Sequence, residues 1–129
     1  MDITLFLAQA FGIYLVLGGV GLLLYPHIRT ELIERFSADR TVVFIGGFVA
    51  LLIGTPLVLI HNIWDGGTLE VIVTILVWLT FLKGVVRMLA PDAVSGWALL
   101  LESRPNLLKA LMVLMVLVGL YLLYVGFGL

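Results

Sequence analysis

Cysteine is absent from this 129-residue chain, and charge is scarce, since Asp, Glu, Lys and Arg make up only 12% of it. An ordinary soluble domain carries about 25% charged residues. Without cysteine, disulfides, thiolate chemistry and cysteine-ligated metals or clusters are excluded. Hydrophobic residues instead make up 63% of the chain, and the mean hydropathy is +1.25. This composition predicts a protein of the lipid bilayer.

The patterns that carry common enzyme chemistry are also missing. The sequence has no Ser-His-Asp set, no His-Glu-x-x-His and no phosphate-binding glycine pattern. Its two histidines, His27 and His61, belong to opposite ends of the predicted spans, which argues against haem bound between helices. A metal site formed by His61, Asp65 and Glu70 together with Asp2 is a weak alternative, because no helical histidine pair supports it. We expect His61 instead to end its span at the headgroups. We therefore predict no enzymatic activity, no cofactor, no metal and no nucleic-acid partner.

Four apolar runs are long enough to cross a membrane. A helix needs about 20 apolar residues to span the ~30 Å hydrocarbon core, and backbone amides in lipid must be hydrogen-bonded within the segment, which favours helices. The predicted spans are residues 3–25, 41–61, 69–90 and 106–127. We predict one all-α membrane domain over residues 1–129, a four-helix bundle arranged as two antiparallel hairpins.

Two connections of about 15 residues, 26–40 and 91–105, join these spans in pairs. Each begins with proline, which suits the first turn of a helix, and each has apolar residues at helical spacing opposite polar ones. We predict amphipathic helices lying in the membrane interface; the alternative is a solvated loop. Arg29, Arg35 and Arg104 are predicted to contact anionic lipid, each contributing about 1 kcal/mol.

The basic residues are distributed asymmetrically. All seven Lys and Arg residues lie in or next to the two long connections, whereas the opposite side of the predicted bundle has acidic residues such as Asp65 and Glu70. The positive-inside rule then places the connections in the cytoplasm. The prediction is a multi-pass protein of the cell membrane, the inner membrane in a bacterium, with both termini outside the cytoplasm.

The chain also contains a weak internal repeat. A shift of 65 residues places Pro26 on Pro91, Gly19 on Gly84 and Gly54 on Gly119. It also repeats the order of span, proline, connection and span. One interpretation is a duplicated unit whose halves are related by an axis along the membrane normal. The other is a chance alignment between leucine-rich and glycine-rich helices.

Small residues form one row of the second span, at Gly46, Ala50 and Gly54. Their spacing is typical of helices that approach each other closely in membranes. We therefore expect these three residues to pack the second span inside the bundle.

The polar residues within and between the spans are the candidates for function. On the third span, Glu70 and Thr74 share one helical row, while Thr80, Lys83 and Arg87 share another. If Lys83 extends to the headgroups, little chemistry is left in the membrane; if it faces the bundle, it belongs to a functional polar track. The candidate residues for a polar track or binding site are Gln9, His61, Asn62, Asp65, Glu70, Thr74, Thr80, Lys83 and Arg87.

Two functions remain open from the sequence. The preferred prediction is a non-catalytic interaction or accessory module that forms homo-oligomers or supports a larger membrane complex. The alternative is a small oligomeric channel or transporter that uses the polar track of the third span, since four helices filled with Leu and Val enclose little water.

Overall fold

A computed structural model describes residues 3–128 of the protein, apart from the side chains of residues 36–38. This part of the chain contains six helices and no strand. The helices are α1 (Ile3–Leu24), α2 (Pro26–Ala38), α3 (Arg40–Ile60), α4 (Thr68–Leu89), α5 (Pro91–Glu102) and α6 (Pro105–Gly126). Among them α1, α3, α4 and α6 have 21 or 22 residues and are apolar enough to cross a membrane. The prediction of an all-helical chain with four potential membrane spans is confirmed for these residues.

Proline residues begin three of the helices. Pro26, Pro91 and Pro105 are the first residues of α2, α5 and α6, where the missing N–H would have no partner within the helix. Each of these helices therefore begins directly after the preceding one ends. We call the end of the bundle that carries α2 and α5 the basic end, and the end that carries the connection 61–67 the turn end.

The closely packed pairs are α3 with α4 and α1 with α6. The first pair is a hairpin across the short connection 61–67, and the second brings the first and last long helices together. Helices α1 and α4 touch at the centre, and α2 contacts α5. A core cluster forms where α1, α4 and α6 meet, around Leu7, Val77 and Leu122. The prediction from chain order paired the two spans that each long connection joins. Neither closely packed pair has that composition.

Glycine allows the close approach of α3 and α4. A Cβ atom at Gly54 would lie 2.8 Å from the Cα of Phe81, and one at Gly84 would lie 2.8 Å from the backbone nitrogen of Leu51. Gly47, which the predicted row did not include, lies against Gly84, whereas Gly46 faces the guanidinium of Arg87. Small residues thus bring the two backbones together. On α3 the contacting glycines are Gly47 and Gly54, so Gly47 takes the place predicted for Gly46.

The contacts between α1 and α6 repeat those between α4 and α3. Gly84 lies against Leu51, and Gly19 lies against Val116. Gly19 and Gly84 are 65 residues apart in sequence, and so are Leu51 and Val116. The shift of 65 residues therefore relates three-dimensional contacts as well as residue types.

A second pair of contacts follows the same rule. Gly54 lies against Phe81, and Gly119 lies against Val16, with a Cβ atom at Gly119 falling 3.0 Å from the Val16 nitrogen. These positions again differ by 65 residues. The shift of 65 residues relates α1 to α4, α2 to α5 and α3 to α6. The two halves are therefore related as by a pseudo-two-fold axis. The repeat therefore relates the helix contacts of the two halves as well as their sequences.

Candidate functional site

A buried histidine holds three helices together at the turn end. His61 directly follows α3 and is fully buried. Its Nε2 atom lies 2.9 Å from the hydroxyl oxygen of Thr4 on α1, and its Nδ1 atom lies 3.0 Å from that of Thr74 on α4. The imidazole therefore links the end of α3 to both helices of the central contact.

The hydrogen bonds of Thr74 define the role of Nδ1 of the His61 ring. Its hydroxyl donates to the carbonyl oxygen of Ile63 at 3.0 Å and accepts from the Ile63 N–H at 3.2 Å. Because a hydroxyl has one hydrogen, Nδ1 of His61 donates to Thr74, and Nε2 lies within hydrogen-bond distance of the Thr4 hydroxyl. Both ring nitrogens thus have partners within the chain, and the cluster acts as a clamp between α1, α4 and the end of α3.

Two further side-chain amides also serve the fold at the turn end. The Asn62 amide oxygen accepts from the indole N–H groups of Trp64 at 2.7 Å and Trp78 at 3.1 Å. Gln9 donates to the carbonyl oxygen of Gly126 at 2.8 Å. Gln9 is 65 residues before Thr74, and His61 is 65 residues before Gly126. The His61–Thr74 contact joins α3 to α4, and the Gln9–Gly126 contact joins α1 to α6 at the equivalent positions.

The remaining turn-end candidates are Asp65, which is exposed, and Glu70, which is half-buried. Among the described residues, no three His, Asp or Glu side chains come close enough together to hold a metal ion. The fourth residue that the sequence places at this end, Asp2, lies outside the described part of the chain. In the described part of the chain, Asp65 and Glu70 are therefore not gathered with His61 into a metal-binding group, and the His61 ring contacts Thr4 and Thr74.

The two polar rows of α4 face different parts of the structure. Thr74 joins the buried His61 cluster, and the Thr80 hydroxyl donates to the carbonyl oxygen of Leu76 within its own helix. Lys83 and Arg87 instead line a lateral groove. The candidates on α4 are therefore not gathered along one path.

That groove has a volume of about 420 Å³ and lies between α1 and α3, with one face of α4 at its base. Phe11 and Tyr14 of α1 and Ala50 of α3 form part of its walls, and Lys83 and Arg87 lie at its base. We call it the basic groove. Sequence analysis placed the two cations on one row but missed Phe11 and Tyr14, because nothing in α1 marks the face that opposes them.

A second groove, of about 470 Å³, lies between α4 and α6 over one face of α1. Its lining includes Leu15, Leu76, Leu79 and Met115, and its surface is almost entirely apolar. We call it the apolar groove. Leu76, Leu79 and Met115 stand 65 residues after Phe11, Tyr14 and Ala50. The two grooves are therefore counterparts under the pseudo-two-fold relation.

The basic end contains one buried arginine. The Arg29 side chain is only 9% exposed, and its guanidinium lies 3.5 Å from the Leu22 carbonyl oxygen and 4.0 Å from the Met112 sulfur. Arg35 and Arg104 are exposed. Of the three arginines predicted to contact lipid, Arg29 thus differs, because it closes the end of α1 against α6 and leaves little of its surface for headgroups.

Charged contacts hold α5 to the rest of the basic end. Arg40 and Asp92 form a two-pronged ion pair, with both N–O distances 2.9 Å. The pair lowers the pKa of Asp92, through the hydrogen bond first and the charge of Arg40 second. The pKa of Glu102 on α5 is raised above its ordinary 4.5, first by hydrogen bonding with Glu34 of α2.

The Glu34–Glu102 contact predicts a pH dependence of the α2–α5 packing. Because the pKa of Glu102 is higher in the folded protein, its contribution to stability is complete below the ordinary pKa and is lost as pH rises through the raised one. We expect the fluorescence of Trp97 on α5 to change over this range as α5 loosens from α2. Glu102→Gln should abolish the change, and Glu31→Gln should leave it intact; an identical profile in all three proteins would contradict the assignment.

Compared with known proteins, the chain matches no family model, no curated protein and no solved structure. The candidate features are those of the described fold: the His61 cluster, the two grooves and the charged contacts of the basic end. Of these, the basic groove combines exposed charge with a concave apolar surface, which is the usual form of a small-molecule site.

Proposed function

We propose that the protein is a non-catalytic interaction or accessory module of a cell membrane that self-associates or supports a larger membrane complex. The observation that carries this proposal is the His61 cluster. The fully buried His61 ring contacts Thr4 and Thr74 through its two nitrogens, and Asn62 and Gln9 are likewise used in contacts within the chain. What the molecule offers to others is its lateral surface.

The arrangement of α4 supports an interaction function over conduction. Thr74 is fully buried against His61, whereas Lys83 and Arg87 lie in a groove at the side of the bundle. A channel needs polar groups along one continuous path. A channel or transporter built on these residues would need several copies arranged so that their grooves face a shared axis.

Vesicles containing the purified protein test this function. We expect single-molecule photobleaching to count more than one copy per assembly, or a membrane partner to co-purify with the single copy. We expect no proton or cation flux above that of empty vesicles. Flux that is present in the wild type and lost in Lys83→Met would refute the interaction module and establish the transporter.

We further propose that the basic end faces the cytoplasm and that α2 and α5 lie in the membrane interface. Support comes from exposed apolar side chains on both helices, including Leu32 on α2 and Trp97 on α5. The exposed Arg35 and Arg104 then face anionic headgroups, in keeping with the preference of basic residues for the cytoplasmic side.

Labelling of two single-cysteine variants tests this orientation, since the natural chain has no cysteine. Ser103→Cys probes the basic end and Phe127→Cys the turn end, and both positions are exposed. A membrane-impermeant maleimide added to intact cells should label position 127 at once, and position 103 only after the cells are permeabilised. The reverse pattern would place the basic end outside.

A further inference from the structure

The charges of the basic groove have no counter-charge. Among the described residues, Lys83 and Arg87 form neither an ion pair nor a hydrogen bond. They are four positions apart on α4, so their side chains are neighbours on one face, where like charges repel. An anion placed at this face would relieve the repulsion.

The apolar groove has no cations at the equivalent positions. The positions 65 residues before Lys83 and Arg87 are Gly18 and Leu22. The same helix arrangement therefore forms around a glycine and a leucine at the equivalent places. The polarity of the basic groove is specific to that groove, which is expected of a binding surface rather than of a packing element.

The shape of the basic groove adds an apolar trough to the charged end. Gly47 lies level with Arg87, since a Cβ atom at Gly47 would fall 2.7 Å from the Arg87 Cβ. Leu57, also in the lining, is ten residues further along α3, about 15 Å towards the turn end at 1.5 Å per residue. The cations thus stand at the basic end of a long apolar surface, which matches a molecule with an anionic head and a hydrocarbon tail.

From this geometry we propose that the basic groove binds one anionic phospholipid, with its phosphate at Lys83 and Arg87 and one acyl chain along the trough between α1 and α3. Arginine suits this role because its guanidinium can bind phosphate through two hydrogen bonds. A second copy of the chain fits less well: on α1, α3, α4 and α6 the acidic residue is Glu70 alone, in the first turn of α4 and far from the depth of Lys83. This binding goes beyond the proposed interaction function and does not depend on self-association.

Native mass spectrometry of the full chain, released from nanodiscs of equal phosphatidylglycerol and phosphatidylcholine, tests the proposal. We expect the wild type to retain one phosphatidylglycerol in preference to phosphatidylcholine. The double variant Lys83→Gln/Arg87→Gln should lose about 30-fold of that preference, the effect of removing two basic groups near an anionic surface. If the double variant does not fold, the single variant Lys83→Gln, altered at an exposed side chain, is expected to show a loss of about fivefold.

Paired controls separate the groove from the rest of the surface. Gly46→Leu should block binding while keeping both charges, because a Cβ atom there would already lie 3.2 Å from the Arg87 guanidinium. Gly18→Leu adds the same side chain at the position equivalent to Lys83, where nothing lies within 4 Å, and should bind as the wild type does. Arg35→Gln/Arg104→Gln should also keep the retained lipid.

Three outcomes would overturn the assignment. Equal retention of both lipids would show that the groove does not select charge. Unchanged binding by Gly46→Leu would place the lipid elsewhere. Displacement by soluble glycerol phosphate, which has no tail, would indicate an anion site without a role for the acyl chain.

Discussion

Replacing Gly54 by leucine is expected to force α3 away from α4 and to lower the free energy of unfolding by about 3 kcal/mol, the upper end of the range for overpacked interiors. The reason is that the added Cβ would lie 2.8 Å from the Cα and 2.9 Å from the nitrogen of Phe81. These are backbone atoms, which cannot rotate aside as the end of a side chain can. Unfolding in detergent, followed by circular dichroism, measures the loss.

Gly21→Leu is the matched control, because a Cβ atom at Gly21 meets nothing within 4 Å. Both variants replace a glycine in a long helix by the same side chain, so helix propensity cancels in the comparison. Leu57→Phe, also on α3, should likewise cost less than Gly54→Leu. Gly119→Leu, at the equivalent position of α6, should resemble Gly54→Leu. Equal stability of Gly54→Leu and Gly21→Leu would contradict the close packing of α3 on α4.

Replacing His61 by alanine is the second large effect that we expect. The change leaves a cavity and removes the imidazole partners of Thr4 and Thr74, which are both buried. A cavity destabilises by a few kcal/mol in soluble cores, whereas Thr74 keeps its hydrogen bonds with Ile63. Hydrogen bonds in membrane proteins average about 0.6 kcal/mol, so the combined loss should be about 3 kcal/mol, mostly from the cavity.

His27→Ala is the control for this variant, since His27 is exposed on α2. Thr74→Val tests the bond itself: combined with His61→Ala in a double-mutant cycle, it should show a coupling energy of at least about 0.5 kcal/mol, because the residues touch. Additive effects of the two substitutions, or a stable His61→Ala protein, would show that the clamp is not needed.

The helices were predictable from sequence for a physical reason. A bilayer demands about 20 apolar residues per span, and proline at the first turn fixes where α2, α5 and α6 begin. The pairing of spans was not predictable in the same way. In lipid, the faces that pack and the faces that meet acyl chains are both apolar, so the pattern of hydrophobic residues does not reveal which helices touch. The pairs α1–α6 and α3–α4 were found only in the structure.

In the candidate site too, local spacing was predictable from sequence and the contacts between helices were not. Lys83 and Arg87 were identified together because helical spacing alone places them on one face. The direction of that face depends on α1 and α3, whose contacting residues carry no sequence signal. His61 was interpreted as a residue at the headgroups, but the structure buries it. Its partner Thr4 lies 57 positions away, a separation that no local pattern bridges.

Each closely packed helix pair joins one helix of the first half to one helix of the second. This arrangement explains how the two grooves can differ in charge. Within either half taken alone, from α1 to α3 or from α4 to α6, no two long helices form a closely packed pair; both close pairs of the described fold cross from one half to the other. A half-chain on its own could form both close helix pairs only by packing against a second, identical copy as a symmetric dimer. In such a symmetric pair, any cation introduced into one cleft would appear in both. A single chain has no such constraint, and the difference between Lys83 and Gly18 is an example.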